Sequence, residues 1–331
     1  MRALVLGHRE VLAALPLEAC AQAMAKVLTE HARGGTYMPL RSVMLAPGAA
    51  GFLGLMPAWR GPQQGHPAAF ALKAVTVIPG NPARGLDAHQ GLVTLFDGET
   101  GVPTAILDAS AITAVRTAAV TAVATGLLAR QDARTLAILG AGTQARAHLR
   151  ALAPVRGFAQ VRVYSPTAEH AKALVEQVRA GRAELSVAPS AEDAVRGADV
   201  VVTATSAREP VLRHAWLKPG AHVNAVGAST PQAREIDTAT VAASALFCDS
   251  RESLAHEAGE FALAVREGRI TGMGHVRGEL GEVLAGLAPG RRDDGELTLF
   301  RSLGLAVEDL AAAELAVRVA RERGLGTEVE L

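Results

Sequence analysis

The chain is 331 residues long, more than one hydrophobic core comfortably organises, so a pair of domains is expected. Its composition, 49% apolar and 20% charged, is that of a globular protein able to bury large cores, which excludes extended disorder. The 33 Lys and Arg balance the 33 Asp and Glu, and no basic run is long enough to follow a phosphate backbone, so nucleic acid is excluded as a partner.

In chain order, Leu17, Ala21, Met24 and Leu28 recur at helical spacing and predict a helix over residues 16–31. Residues 41–108 change to short apolar runs, 41–45, 69–78, 91–96 and 103–107. The turn signals Pro79-Gly80-Asn81-Pro82 and Asp97-Gly98-Glu99-Thr100-Gly101 punctuate them, predicting a mainly antiparallel sheet with hairpins. An Ala-rich connecting helix is expected over 113–130. Strands at 135–139, 161–164, 185–188, 199–204, 222–226 and 245–248 then alternate with helices at 143–153, 168–180 and 191–196. Such alternation implies a parallel, doubly wound sheet with helices on both faces. A last helix over 307–323 is expected to return to the first domain. The fold class is therefore α/β, with a Rossmann domain at 121–300 beside an α+β domain made of 1–120 and 301–331. Cys20 and Cys248 lie far apart in apolar segments, as expected of core thiols in a reducing compartment. His8, Arg9 and Glu10 interrupt the first apolar stretch, and no other run is read as approaching the roughly 18 residues of a membrane span. A cytoplasmic protein with no membrane partner is expected.

Gly140-Ala141-Gly142-Thr143-Gln144-Ala145 follows a strand and opens a helix. In a dinucleotide-binding turn the first Gly makes the tight turn and the second lets the backbone approach the pyrophosphate. A small third residue, here Ala145, permits close helix-to-strand packing. After the second strand, Tyr164-Ser165-Pro166-Thr167 offers no carboxylate for a ribose 2′-hydroxyl, whereas Ser165 and Thr167, with Arg146 in reach, suit a 2′-phosphate. NADP is expected over NAD, although Ser and Thr here also serve as helix caps. Thr205 and Ser206, after another strand, are cofactor candidates for the same positional reason.

No metal signature occurs, and neither a Gly-x-Ser-x-Gly elbow nor a Cys and His pair points to hydrolysis. What remains is Arg41, Lys73 and Arg116, three cations inside apolar surroundings. A single such residue snorkels or forms a buried ion pair. Three together, none with an acid beside it in sequence, point to an anion pocket for a substrate carboxylate.

The strings Leu72-Lys73-Ala74-Val75, Pro79-Gly80-Asn81, Gly85-Leu86, Asp97-Gly98-Glu99-Thr100-Gly101-Val102-Pro103 and Ile112-Thr113 followed by Arg116-Thr117-Ala118-Ala119 resemble the ornithine cyclodeaminase/mu-crystallin family. The resemblance continues through Gly140 to Ala145, Ala225-Val226-Gly227-Ala228, Gly281-Glu282-Val283-Leu284-Ala285-Gly286 and Ser302 to Asp309, in family order over nearly the whole chain. It implies a homodimer whose first domain binds substrate and dimerises. It also implies that Arg41, Lys73 and Arg116 hold the substrate carboxylate beside the nicotinamide, and that Val226 and Gly227 join the cofactor site. The family's cyclodeaminases carry an aspartate two residues after the Val-Gly of the fifth Rossmann strand; here Ser229 stands there, as a poor base or as a cap for a helix before Glu235. The expected activity is NAD(P)H-dependent reduction of a cyclic α-imino acid, five- or six-membered, to the cyclic amino acid. The alternatives are ornithine cyclodeaminase or alanine dehydrogenase chemistry, or a non-catalytic NADPH-dependent binding protein. His89 resembles a histidine of reductase-like members and is either a substrate contact or an ordinary loop histidine.

Overall fold

The computed structural model describes residues 1–63, 66–178 and 183–331. They form two compact units, Met1–Arg116 with Gly304–Leu331, and Thr117–Leu303. The chain opens with β1 (Arg2–Leu6), α1 (His8–Ala14), α2 (Leu17–Ala32), β2 (Thr36–Tyr37), β3 (Ser42–Met44), β4 (Phe52–Arg60), β5 (Ala69–Val77), β6 (His89–Asp97), β7 (Pro103–Asp108) and α3 (Ala109–Leu128). It continues with β8 (Thr135–Leu139), α4 (Thr143–Leu152), β9 (Gln160–Tyr164), α5 (Ala168–Gln177), β10 (Glu184–Val187), α6 (Ala191–Val195), β11 (Val200–Thr203) and β12 (His222–Ala225). Next come α7 (Thr238–Ala243), β13 (Ala245–Cys248), α8 (Arg251–Glu257), α9 (Gly259–Arg266), β14 (Val276–Glu279), α10 (Leu280–Leu284) and β15 (Thr298–Arg301). The chain then re-enters the first unit with α11 (Ala306–Arg323) and β16 (Thr327–Glu330).

Three expectations need correction. The helix α3 begins at Ala109, directly behind β7, because the Asp108 carboxylate accepts the Ala111 amide at 2.7 Å and closes the first turn. It is also 20 residues long and, by length and composition, apolar enough to cross a membrane, contrary to the expectation of no such run; 78% of its apolar window is buried inside the protein, as in a core helix. The helix expected to reach residue 180 ends at Gln177, and residues 179 and 180 lie outside those described.

In the first unit the strands run in the order β16-β1-β7-β6-β5-β4-β2, with β3 paired to β4. The β1–β7 pair is parallel and the others are antiparallel. The period of two along β5 decides what each sheet face does. Ala69, Ala71, Lys73 and Val75 are buried on the face over which α11 packs, along with β4 and β6. Phe70, Leu72 and Ala74 project from the other face, beside Leu55, Pro57 and Trp59 of β4 and Leu92 and Phe96 of β6.

The second unit is a sheet of eight parallel strands in the order β10-β9-β8-β11-β12-β15-β13-β14. Its central strands read as unbroken apolar runs because both faces are covered: Leu136 to Leu139 and Val200 to Val202 are at most 1% exposed. The chain winds outward from β8 through β9 to β10, then returns to place β11 on the other side of β8. That reversal makes the carboxyl ends of β8 and β11 the topological switch point, the place where doubly wound sheets bind ligands.

Candidate active site

Gly140 ends β8 at the reversal point. Its φ of 117° lies in the region that favours glycine, and a Cβ there would stand 2.3 Å from the carbonyl oxygen of Ala204, after β11. Gly142 differs. Its backbone is extended, it is the N-cap of α4 without contributing a side chain, and a Cβ would meet no atom of the chain within 4 Å. The space beside the first turn of α4, carrying Thr143 and Gln144, is thus open, and a helix N-terminus facing such space favours a phosphate. Ala145, the third small residue, is fully buried. These features fit a dinucleotide pyrophosphate.

The loops that follow β11 and β12 are tied by one side chain. Glu235 is 1% exposed, and its carboxylate accepts the Thr203 hydroxyl (2.9 Å), the Thr205 amide (2.6 Å) and hydroxyl (2.7 Å), and the Gly227 amide (2.6 Å). Burial pushes its pKa above the usual carboxylate range, against the lowering effect of these bonds. A Cβ on Gly227 would lie 2.1 Å from the Thr205 carbonyl oxygen, so the residue must be glycine for the loops to meet. Arg301 of β15, itself paired with Glu260, donates to the carbonyls of Ala225 and Ala228 on either side of Val226-Gly227.

In the first unit, the buried face of β5 brings Lys73 under the first turn of α11. Lys73 Nζ donates to Asp309 Oδ1 at 3.1 Å, and Arg116 Nε donates to the same oxygen at 3.0 Å. Arg116 Nη1 reaches Glu308 Oε2 at 2.9 Å, and Arg41 Nη2 donates to the Gly304 carbonyl at 2.9 Å. Gly304, at φ 82°, admits the Arg116 guanidinium where a Cβ would stand 2.6 Å from Nη1. Lys73, Arg116, Glu308 and Asp309 are each at most 4% exposed. Burial, with the Arg116 and Arg41 charges, lowers the Lys73 pKa against the opposing effect of Asp309, to a net value of about 8. Burial works against ionisation of Asp309, but Lys73 and Arg116 outweigh it and hold its carboxyl below the usual range. The cations therefore come together as anticipated, yet Lys73 and Arg116 do have protein carboxylates, supplied from 236, 193 and 192 positions away, where no local pattern could show them. Removing one partner of such a buried set costs about 3–5 kcal/mol.

The sequence profile of the ornithine cyclodeaminase/mu-crystallin family matches residues 1–324. The chain belongs to this family. Mouse (Mus musculus) ketimine reductase mu-crystallin is 40% identical over 282 residues, 85% of each chain. A Δ1-pyrroline-2-carboxylate reductase of Bacillus cereus is 38% identical over 264 residues, 79% of this chain and 81% of its own. Among solved structures, Δ1-pyrroline-2-carboxylate reductase of Thermococcus litoralis in complex with NADH and L-proline matches with a TM-score of 0.93 at 35% identity, covering 98% of this chain and 100% of that one.

Within this family member the remaining candidates fall as follows. Ser165 and Thr167 lie at the carboxyl end of β9, with Thr167 exposed as the N-cap of α5 but making no side-chain cap. Arg146 does not extend toward them: it bonds Gln177 at the far end of α5. Thr205 is engaged by Glu235, while Ser206 is exposed just beyond it. Ser229 lies in a loop and caps nothing, since no helix precedes Glu235; the next helix, α7, is capped by Asp237. His89 opens β6, where burial and then the Lys73 charge disfavour its protonation. The residues that sequence reasoning missed are Glu308, Asp309, Arg301 and the tying role of Glu235. Glu308 and Asp309 leave no more local trace than two adjacent acids in an Ala, Val and Leu run at the start of α11, which the helix dipole already explains.

Proposed function

We propose that this protein reduces a cyclic α-imino acid, Δ1-pyrroline-2-carboxylate or its six-membered analogue, to the cyclic amino acid. The observation that carries the reading is the commitment of the first two acids that follow Ser229 in the chain, Glu235 and Asp237. Glu235 is buried under four hydrogen bonds, and Asp237 caps α7 through the Thr240 amide at 2.9 Å. Deamination with cyclisation of a diamino acid needs a group that takes protons from amines. Neither Ser229 nor these two committed carboxylates suits that task, whereas a preformed imine needs only a hydride and one proton.

A bound nicotinamide dinucleotide supplies the hydride to the imine carbon. Gly140, Gly142, Thr143, Gln144 and Ala145 would hold its pyrophosphate, with Thr205, Ser206, Val226 and Gly227 shaping the rest of its site. Arg41, Lys73 and Arg116 carry three positive charges against two on Glu308 and Asp309, a formal balance of +1 that suits one substrate carboxylate. Fixing the imine by its carboxylate removes orientational freedom, an effect that reaches about 7–11 kcal/mol in well-aligned systems. Lys73 gives the proton to the imine nitrogen, so that C=N becomes CH–NH, and recovers it from water. The lack of a carboxylate at residues 164–167, with hydroxyls at Ser165 and Thr167, supports NADPH over NADH. The apolar outer face of the first unit's sheet supports a homodimer, and the free, buried Cys20 and Cys248 support a reducing, cytoplasmic setting.

The test is one preparation assayed for NADPH and NADH oxidation with pyrroline-2-carboxylate, piperideine-2-carboxylate and pyruvate plus ammonia, and for ammonia release from ornithine with NAD. Imine-dependent oxidation, faster with NADPH, is expected, with little ammonia from ornithine. Ammonia release without imine reduction would overturn the reading in favour of a cyclodeaminase. Tight NADPH binding with no turnover on any arm would leave a binding protein instead.

A further inference from the structure

We propose that Asp309 is the positioning residue of the cation cluster: it locks the Lys73 ammonium against Arg116 and, by its charge, keeps the ammonium's proton available for delivery to substrate nitrogen. The proposal rests on the reading of Lys73 as the proton donor. One oxygen, Oδ1, accepts from both cations, at 3.1 Å and 3.0 Å. The other, Oδ2, is buried without a hydrogen-bond partner. Arg116 does not need Asp309 to stay in place, because Glu308 holds its other nitrogen. Lys73 is different: among the described residues its anionic partner is Asp309.

Among the described residues, the other groups whose charges act on Lys73 are cations or a weak base. Arg116 approaches from α3, Arg41 from the segment before β3, and His89 from β6, while Glu308 on α11 is bound to Arg116. Burial and the two arginines strip the proton from Lys73, and Asp309 retains it. The lysine sits at about 8, charged at neutral pH yet close enough to release a proton to an imine. Delivery is balanced: the ammonium N–H bond breaks, an N–H bond forms on the substrate, and the lysine amine regains its proton from solvent.

The chain has four lysines, Lys26, Lys73, Lys172 and Lys218, so the Lys73 side chain can be followed by NMR in protein labelled with ¹³Cε-lysine, with or without turnover. The wild type is expected to lose kcat for the imine as pH rises through about 8. In Asp309→Asn the Lys73 titration and the alkaline limb of kcat both move down by about one pH unit or more, roughly tenfold in the ratio of protonated to neutral lysine at the old midpoint. Dinucleotide affinity stays unchanged, and Asp309→Glu, which keeps the charge, returns both midpoints toward the wild type. A Lys73 midpoint that stays put in a folded Asp309→Asn protein overturns the proposal. A midpoint that moves while the kcat limb does not overturns proton delivery by Lys73. Absence of any imine turnover, with the NMR shift present, overturns the functional reading and leaves the charge lock standing.

Discussion

At the scale of single residues, three glycines in the second unit are glycine for two different reasons. Gly140 and Gly227 are demanded by the chain itself, since a side chain would collide with Ala204 in one case and Thr205 in the other. Gly142 is demanded by nothing in the chain. Gly142→Val is therefore expected to fold, with no more than the small stability loss of a poorer N-cap, while losing dinucleotide affinity by roughly a hundredfold or more, about 2.8 kcal/mol. Calorimetric titration with NADPH alongside thermal unfolding checks this, and full affinity in the folded variant would remove the pyrophosphate from this turn. These positions were legible because the spacing Gly140, Gly142, Ala145 is local and its steric logic is general. The carboxylates of Glu308 and Asp309 were not. Their meaning depends on β5 and α3 reaching the same turn of α11, and acids in a helix's first turn already have a sufficient local explanation in the helix dipole.

Among elements, the parallel sheet was the easier half to anticipate. Its central strands are buried on both faces and show themselves as bare apolar runs between helical periods. The boundary of α3 was harder, because a cap made by Asp108 leaves no gap between strand and helix. Hardest was the coupling between elements: β11 and β12 end in separate loops that share Glu235, a residue 30 positions from Thr205 and 8 from Gly227. An ionised carboxylate accepts all four of its donors, but an amide turns an NH₂ group toward some of them. Glu235→Gln is expected to lower stability by about 1–3 kcal/mol. It should also raise the KM for the dinucleotide by about tenfold, with the KM for the imine nearly unchanged, through loosening of the Thr205 and Gly227 backbone. Steady-state kinetics with each reactant varied in turn separates the two, and an equal rise in both would point to general destabilisation.

For the whole molecule, the outer face of the first unit's sheet is the feature that invites association. Phe70 is 45% exposed and Leu92 52%, with Leu55, Pro57, Leu72 and Phe96 adjoining them on paired strands. An apolar surface of this kind marks a site of association, and a second copy of the chain would give it a self-complementary cover. Light scattering is expected to find a dimer, and Phe70→Lys with Leu92→Lys to yield monomers; a wild-type monomer would refute the assembly. The first unit is also discontinuous, since it begins at Met1 and is completed by Gly304–Leu331. During synthesis, β1 waits for its neighbour β16, the sheet waits for α11, and Lys73 and Arg116 remain without Glu308 and Asp309 until the final residues emerge. The dinucleotide unit, continuous from Thr117 to Leu303, has by then been made in full. The portion of the polypeptide translated first is thus the last to mature, and a ribosome that stops a few codons short of α11 releases a chain that can hold its cofactor turn but has nowhere to neutralise its buried cations.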